Sequence, residues 1–275
     1  MKVPDKVLCI VAGVDVQDNS LHINTVGFGV AEESWGLEYK IINGHVSSPD
    51  TWKALDEYLF NKEFITESGL RMKILRACID SSDNTDLVYQ YVKPREERGM
   101  IAVKGSATPG RGIVSNRPSK QKYSVNLYIV GVTAAKDLIY HRLRNLEPGT
   151  GGFMHFNMSY DAEFFKELLG ERIIRKKWNG RMVRTYEKLP NQRVEGLDAT
   201  VYAVAALRLL NPNFQVLHRK REQLLEEKKT AVVEVPVEVE ALSRFAEMTR
   251  TEVPQRRQKT VKRGGFLYDG WQRRY

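Results

Sequence analysis

The sequence predicts an α/β fold in which a mixed sheet, made of an antiparallel meander plus parallel strands, is flanked by helices. Between residues 6 and 42, three strand-like runs follow one another with tight turns between them, which is typical of a meander. Beyond residue 49, strand-like and helix-like segments alternate, and this alternation favours parallel pairing with helices on the sheet faces. The length of 275 residues and the 42% apolar content suit one large domain plus an appendage.

The meander is predicted from three consecutive segments. VLCIVAGVDV is almost continuously apolar, as expected of a strand that is buried on both faces. Asp18-Asn19 predicts the turn into LHINTVGFGV, and SWGLEYKII follows as the third strand. Both cysteines, Cys9 and Cys78, lie inside apolar runs. This placement indicates small buried thiols in a reducing compartment rather than a disulfide or a zinc site.

The crossover segments come next along the chain. SSPDTWKALDEYLF has a cap candidate at Ser48 or Asp50 and an early proline, which predicts the first helix. MKILRACID is a buried strand that ends at Asp80, DLVYQYV is a short helix, and MIAVK is the next strand. LYIVGV continuing into VTAAKDLIYHRL predicts a strand that leads directly into a helix, with FMHF as an edge strand and AEFFKELL as a small helix.

The last predicted elements are a hairpin and an apolar helix. Asn179-Gly180 stands between ERIIRKKW and RMVRTYEK, and Asn-Gly between two strand-like runs is a strong hairpin signal. VEGLDATVYAVAALRLL predicts a buried helix that starts near Glu195. We expect the main domain to span residues 1–212 and residues 213–275 to form a charged tail that is ordered only in part.

The charge balance predicts a polyanionic partner. Lys and Arg number 43 against 34 Asp and Glu, which gives a net charge of +9 and favours nucleic acid over a membrane surface. A Gly- and Ser-rich stretch over residues 105–122 contains Lys and Arg but no acidic residue and predicts a flexible loop for phosphate contacts. The alternative is a solvated surface loop. The candidate contacts in and beside it are Lys104, Arg111, Arg117, Lys120 and Lys122. The predicted hairpin, which is also basic, is a second candidate wall of a DNA groove.

Three acidic residues stand in apolar surroundings far apart in the sequence. Asp15 and Asp80 end predicted strands, and Asp198 lies in the first turns of the last apolar helix. A carboxylate in an apolar segment is costly to bury without a partner, and strand ends of one sheet can converge. Three converging carboxylates predict a site for Mg²⁺ or Mn²⁺. The alternative makes each of them a turn, cap or helix-dipole residue. Asp83 is a weaker candidate that could reach a metal through water.

The segments GVDVQDNSLHINTVGFGVAEESW, CIDSSDNTDLVYQYV, IAVKGS and LDATVYAVAALR resemble, in this order, the nuclease domain of the lambda-like GpA family of bacteriophage terminase large subunits. The resemblance covers roughly residues 7–210. It implies an RNase H-like fold and a metal-dependent endonuclease that cuts concatemeric double-stranded viral DNA. It also implies that Asp15, Asp80 and Asp198 are catalytic ligands of two Mg²⁺ or Mn²⁺ ions, with Asp15 between them.

The resemblance further implies partners and a place of action. Terminase large subunits work with a small terminase subunit and a portal protein in the host cytoplasm, and their C-terminal end docks the portal. They also carry a packaging ATPase, which we do not expect here. The nearest phosphate-loop lookalike, GSATPGRG, has Arg111 where that loop requires lysine. The chain therefore resembles an isolated nuclease portion.

Two other functions stay open at this point. One is another RNase H-like nuclease of the resolvase or transposase type, and the other is a catalytically inert DNA- or portal-binding packaging module. His155 in FMHF is a weak candidate for a general base, because a lone histidine on an apolar strand is more often structural. The tail aromatics, interleaved with Arg273 and Arg274, are candidates for base stacking or for protein docking.

Overall fold

The computed structural model describes residues 2–230 of the chain and the side chains of residues 2–227. Its strands are β1 (Cys9–Gln17), β2 (Ser20–Phe28), β3 (Ser34–Asn43), β4 (Phe64–Ile65), β5 (Arg71–Met72), β6 (Ile74–Asp80), β7 (Met100–Ser106), β8 (Ser119–Lys120), β9 (Asn126–Gly131), β10 (Met154–Phe156), β11 (Glu171–Trp178) and β12 (Arg181–Lys188). Its helices are α1 (Pro49–Asp56), α2 (Thr85–Val92), α3 (Val132–Arg142), α4 (Ala162–Leu168), α5 (Glu195–Leu210) and α6 (Phe214–Thr230).

Eight strands form the main sheet in the order β10-β3-β2-β1-β6-β7-β9-β8. β1, β2 and β3 are antiparallel neighbours, whereas β1, β6, β7 and β9 run parallel to one another. The predicted α/β class, with a meander joined to parallel strands, is therefore confirmed. β10 pairs with β3 at one edge, as the FMHF segment predicted, and β11 and β12 form a separate hairpin.

Helices cover both faces of the sheet, and β1 shows how its sequence serves both. Ile10, Ala12 and Val14 pack into the core that contains α1 and α2, while Cys9 and Val11 pack into the core that contains α3, α4 and α5. This alternation is the two-residue period of a strand that is buried on both sides. Asp15 has the parity of Cys9 and Val11, so its side chain belongs to the α5 face.

α5 lies directly on β1 because Gly13 has no side chain. A Cβ atom built on Gly13 would stand 2.0 Å from the carbonyl oxygen of Ala199 and 2.2 Å from the amide nitrogen of Ala203. Both are backbone atoms, which cannot turn aside as a flexible side chain can. Gly13 thus fixes the closest approach of α5 to the strand that carries Asp15.

Some short elements of the structure were not predicted from the sequence. β4 and β5 are strands of two residues each that pair with each other, and β8 inserts two residues of the basic segment beside β9. Runs of two residues have no measurable period, so the pattern could not reveal them. An isolated bridge between Val114 and Val130 also holds the middle of the basic segment against the sheet.

The described start of the C-terminal segment packs against the domain. In α6, Leu217 is buried in the α5-side core, and Arg221 donates a hydrogen bond to the carbonyl oxygen of Asp5 at 3.2 Å. The domain division at residue 212 stays a prediction, and the tail aromatics with Arg273 and Arg274 lie outside the described residues. No helix of the described part is long and apolar enough to cross a membrane.

Candidate active site

Asp15 and Asp80 lie side by side on the face of the sheet that α5 covers. β1 and β6 run parallel with Val14 opposite Ile79, so the next residue on each strand is one of the two acids. Asp80 shares its parity with Cys78, which packs into the α5-side core. The exposed fractions are only 4% for Asp15 and 6% for Asp80. Two carboxyl groups are therefore buried next to each other in the middle of the sheet.

Asp198 reaches the same region from the first turn of α5. That end of the helix is fixed by Glu167, whose Oε2 accepts a hydrogen bond from the amide of Gly196 at 2.8 Å. Asp198 contributes to the raised pKa of Asp15 and to that of Asp80, so its charge acts on both buried acids. The structure thus places Asp198 close enough to Asp15 and Asp80 for its charge to raise the pKa of both.

Burial is the main reason why these acids titrate abnormally. The pKa of Asp15 is raised well above its usual value by burial, then by the charges of Asp198 and Asp80, against a hydrogen bond from Gln17. Burial raises the pKa of Asp80 to about 6, although hydrogen bonds from Ser82 and Tyr202 oppose the shift. Among the described residues, neither acid has an ion-pair partner. Ionising both in this environment therefore costs free energy, which a nearby positive charge would offset.

Protein donors bind Oδ2 of Asp15 and Oδ1 of Asp80. Gln17 Nε2 donates to Asp15 Oδ2 at 2.6 Å, and Ser82 Oγ donates to Asp80 Oδ1 at 2.9 Å. Within residues 2–230, no three His, Cys, Asp or Glu side chains are so arranged that they could hold a metal ion as they stand. The assignment of the three acids as metal ligands therefore stays a prediction. Its chemistry is consistent, because an oxygen-only donor set with unbalanced negative charge suits hard divalent cations.

Lys136 is the residue of this site that the sequence analysis missed. Its Nζ lies 3.2 Å from Asp198 Oδ1 and 2.8 Å from Glu171 Oε1, although the side chain is almost fully buried. Lys136 sits in the middle of the α3 segment, where its spacing gave no sign of distant acidic partners. Its positive charge is shared by Asp198 and Glu171, whereas no described residue supplies one to Asp15 or Asp80.

The predicted DNA contacts do not lie on one surface. The backbone of Arg111 and Gly112 packs against Gly131 at the start of α3, next to the helix that carries Lys136. Lys104 is exposed on β7 and has the parity of Ala102, so its side chain points away from the acids. Lys122 is ion-paired with Asp86 of α2, and Arg117 and Lys120 are exposed. Their role in DNA binding stays a prediction.

The two weaker candidates lie at other places. Asp83 is exposed in the loop that follows β6. His155 is on edge strand β10, which β3 and β2 separate from β1. Its Nε2 is 2.7 Å from Glu33 Oε1, and its ring stacks on Trp35 with centroids 5.0 Å apart. These contacts explain His155 as a packing residue of the sheet edge.

Residues 1–221 match the family model described as the endonuclease domain of terminase large subunit gpA. The chain is similar to the terminase large subunit of Escherichia phage lambda, with 30% identity over 221 residues that make up 78% of this chain and 34% of the relative. It is also 28% identical to the terminase large subunit of Enterobacteria phage P21, over 80% of this chain and 36% of the relative. The chain thus spans about a third of the length of these relatives.

The comparison with solved structures finds the large terminase nuclease from thermophilic phage G20c. That match has 13% sequence identity and a TM-score of 0.33, and it covers 74% of this chain and 84% of the other.

Proposed function

This chain belongs to the family of terminase large subunit gpA endonuclease domains, and we propose that it cleaves concatemeric double-stranded viral DNA by hydrolysis with two divalent cations, Mg²⁺ or Mn²⁺. The observation that carries the proposal is the burial of Asp15 and Asp80 beside Asp198, with no positive charge to balance the first two within the described residues. Such an arrangement is costly for folding and suits a cation site.

Each acid would have a distinct position around the cations. Asp15 adjoins Asp80 across β1 and β6, and the charge of Asp198 raises its pKa more than that of Asp80 does. Asp15 is therefore the candidate for touching both ions, with Asp80 and Asp198 on either side. Such a pair of ions, when bound, activates water and stabilises the leaving oxygen in phosphodiester hydrolysis. Gln17, Ser82 and Tyr202 orient the carboxylates of Asp15 and Asp80.

The biological setting is part of the proposal. The chain spans about a third of the length of its relatives, and we propose that it acts during packaging in the host cytoplasm, with a small terminase subunit and a portal protein as partners. DNA contacts by the basic segment near Arg111 belong to the same proposal. Its position beside α3 supports Arg111 more than Lys104, which points to the opposite face of the sheet.

The test is cleavage of supercoiled plasmid with and without Mn²⁺. We expect metal-dependent nicking and linearisation by the wild type, and a loss of at least about a thousandfold in rate for Asp15→Asn, because the variant removes the ligand shared by both ions. Asp18→Asn is the matched control, since Asp18 is an exposed acid in the turn that follows β1. Full cleavage by Asp15→Asn would refute the ligand assignment.

The same assay separates the alternatives. An inert packaging module would show neither cleavage nor a rise in melting temperature when Mn²⁺ is added. A nuclease of the resolvase type would prefer branched DNA over linear duplex, and a transposase would join strands. The expected result is cleavage of unbranched duplex together with thermal stabilisation by Mn²⁺ that Asp15→Asn abolishes.

A further inference from the structure

The hairpin of β11 and β12 carries positive charges that no part of the described protein neutralises. Arg172 is paired with Glu187, and Arg184 is paired with Asp137. In the described part of the chain, four further cations near the turn have no acidic partner: Arg175, Lys176, Lys177 and Arg181. We propose that this hairpin is a DNA-binding arm that enters a groove of the duplex beside the acidic site. This inference rests on the proposed function for the identity of the substrate.

The strand register shows that the charge is not an ordinary solvated face. Arg175 stands directly opposite Arg184 on the same face, and because Asp137 pairs with Arg184, the charge of Arg175 is the one left unbalanced among the described residues. Arg175 and Lys177 occupy one face, whereas Lys176 and Arg181 occupy the other. With cations on both faces, the hairpin can contact the two phosphate backbones that border a DNA groove, one with each face. An acidic protein surface would meet only one face.

The tip of the hairpin has the shape and composition for contact with nucleic acid. Asn179 and Gly180 form the turn with positive φ angles of 46° and 79°, and Trp178 beside them is 48% exposed. Eight residues in each strand extend the ribbon by roughly 25 Å at about 3.3 Å per residue. The major groove of DNA admits a two-stranded ribbon, so the tip can reach base edges while the cations contact phosphates.

The base of the hairpin is fixed to the candidate active site. Glu171, the first residue of β11, pairs with Lys136, and Lys136 also pairs with Asp198. On the other strand, Tyr186 Oη donates to Asp137 Oδ1 at 2.5 Å, and Tyr186 also contacts the ring of Tyr140 on α3. Duplex held by the arm is therefore held at a defined position relative to the acids.

The experiment measures binding of a labelled duplex in EDTA, where cleavage cannot occur, over a series of salt concentrations. The test variant is Arg175→Gln, Lys176→Gln, Lys177→Gln, which keeps polar side chains at exposed positions. The control variant is Lys2→Gln, Lys6→Gln, Lys53→Gln, three exposed lysines whose chain neighbours pack into the opposite core. Both variants lose three charges, so they differ only in where the charges are lost.

We expect the test variant to bind at least about tenfold more weakly than the wild type near 0.1 M salt, with a salt slope shallower by about two to three units. The control should change the slope by less than about one unit. Trp178 fluorescence should respond to duplex, and Trp178→Phe should lose that response. Equal losses in both variants would mean general charge attraction and would overturn the proposal.

An unchanged salt slope in the test variant would also overturn the proposal. The hairpin would then contact a protein partner or solvent instead of DNA. The outcome is independent of the nuclease proposal, because binding in EDTA needs no cleavage. A wild type that cuts plasmid while the test variant binds normally refutes the arm alone. A wild type that never cuts, combined with the expected loss of binding, refutes the nuclease and keeps the arm.

Discussion

The buried carboxylates at the two ends of α5 differ in their partners and in the direction of their pKa shifts. Near its C-terminal end, Arg208 Nη2 lies 2.8 Å from Glu32 Oε2, and Arg142 of α3 pairs with the same carboxylate. Burial alone would raise the pKa of Glu32, but Arg208 and then Arg142 outweigh it, and the pKa is lowered. Near the N-terminal end, Asp15 and Asp80 are more deeply buried and their pKa values are raised.

This difference in pKa direction distinguishes a structural acid from a functional one. Glu32 carries two guanidinium partners and remains charged at neutral pH, so it joins the segment after β2 to α3 and α5. Within residues 2–230, the donors to Asp15 and Asp80 are all neutral, and the two acids oppose folding when they are ionised. A protein keeps such residues where another component, here the proposed cations, balances them.

The largest loss of stability should come from adding a side chain at Gly13, where α5 contacts β1. We expect Gly13→Ala to lower the free energy of unfolding by about 3 kcal/mol or more, because the new methyl group meets backbone atoms of α5. The shift of α5 would also move Asp198 away from Asp15, so Mn²⁺ should stabilise the variant less. Urea unfolding with and without Mn²⁺ measures both effects.

Gly112→Ala is the control for that substitution. Its Cβ atom would stand 3.8 Å from the nearest atom, the carbonyl oxygen of Val114, so we expect a change within about 0.5 kcal/mol. If Gly13→Ala were equally harmless, the close packing of α5 on β1 would not be what positions Asp198.

A second substitution tests the balanced end of α5. Glu32→Gln leaves Arg142 and Arg208 without their shared carboxylate, and we expect a loss of about 2 kcal/mol in stability, below the range for a fully buried pair because Glu32 is partly exposed. Plasmid cleavage measured below the melting temperature should stay within about twofold of the wild type. Glu67→Gln, at an exposed acid, should change neither. A large loss of cleavage in Glu32→Gln would show that the two ends are not independent.

A third substitution tests the unbalanced end and gives the smallest change in stability. The pKa of Asp80 is raised from 3.8 to about 6, so the native state binds more protons than the unfolded state between these values, and ionisation costs stability as the pH rises through 6. Asp80→Asn removes this cost. We expect the metal-free variant to gain about 1 to 2 kcal/mol at pH 8.

The sign of this effect reverses the usual expectation for a polar substitution. At pH 3, which lies below both pKa values, Asp80 is largely protonated in the folded and the unfolded state, so most of the gain should vanish. Melting curves at the two pH values measure the difference. A loss of stability at pH 8 would show that Asp80 is structurally satisfied, as Glu32 is, and would remove the contrast between the two ends of α5.

The sequence predicted those parts of the fold and site that follow from local patterns. The period of two in β1 and the helical runs placed the sheet, and strand ends predicted that Asp15 and Asp80 are neighbours. Lys136 could not be found in this way, since its partner Glu171 lies 35 residues further along the chain. The basic segment was visible as composition, but only the register of β7 shows that Lys104 faces away from the acids.

The two cysteines of the chain offer a practical consequence. Cys9 and Cys78 are both fully buried beneath α5, and burial raises the pKa of the Cys9 thiol to about 12 and that of the Cys78 thiol even further. Thiolates are the species that react with maleimides and oxidants, so neither cysteine of the folded protein should react with these reagents. A single cysteine introduced at the turn of the hairpin, for example Asn179→Cys, would then be the sole reactive site for a spin label or fluorophore.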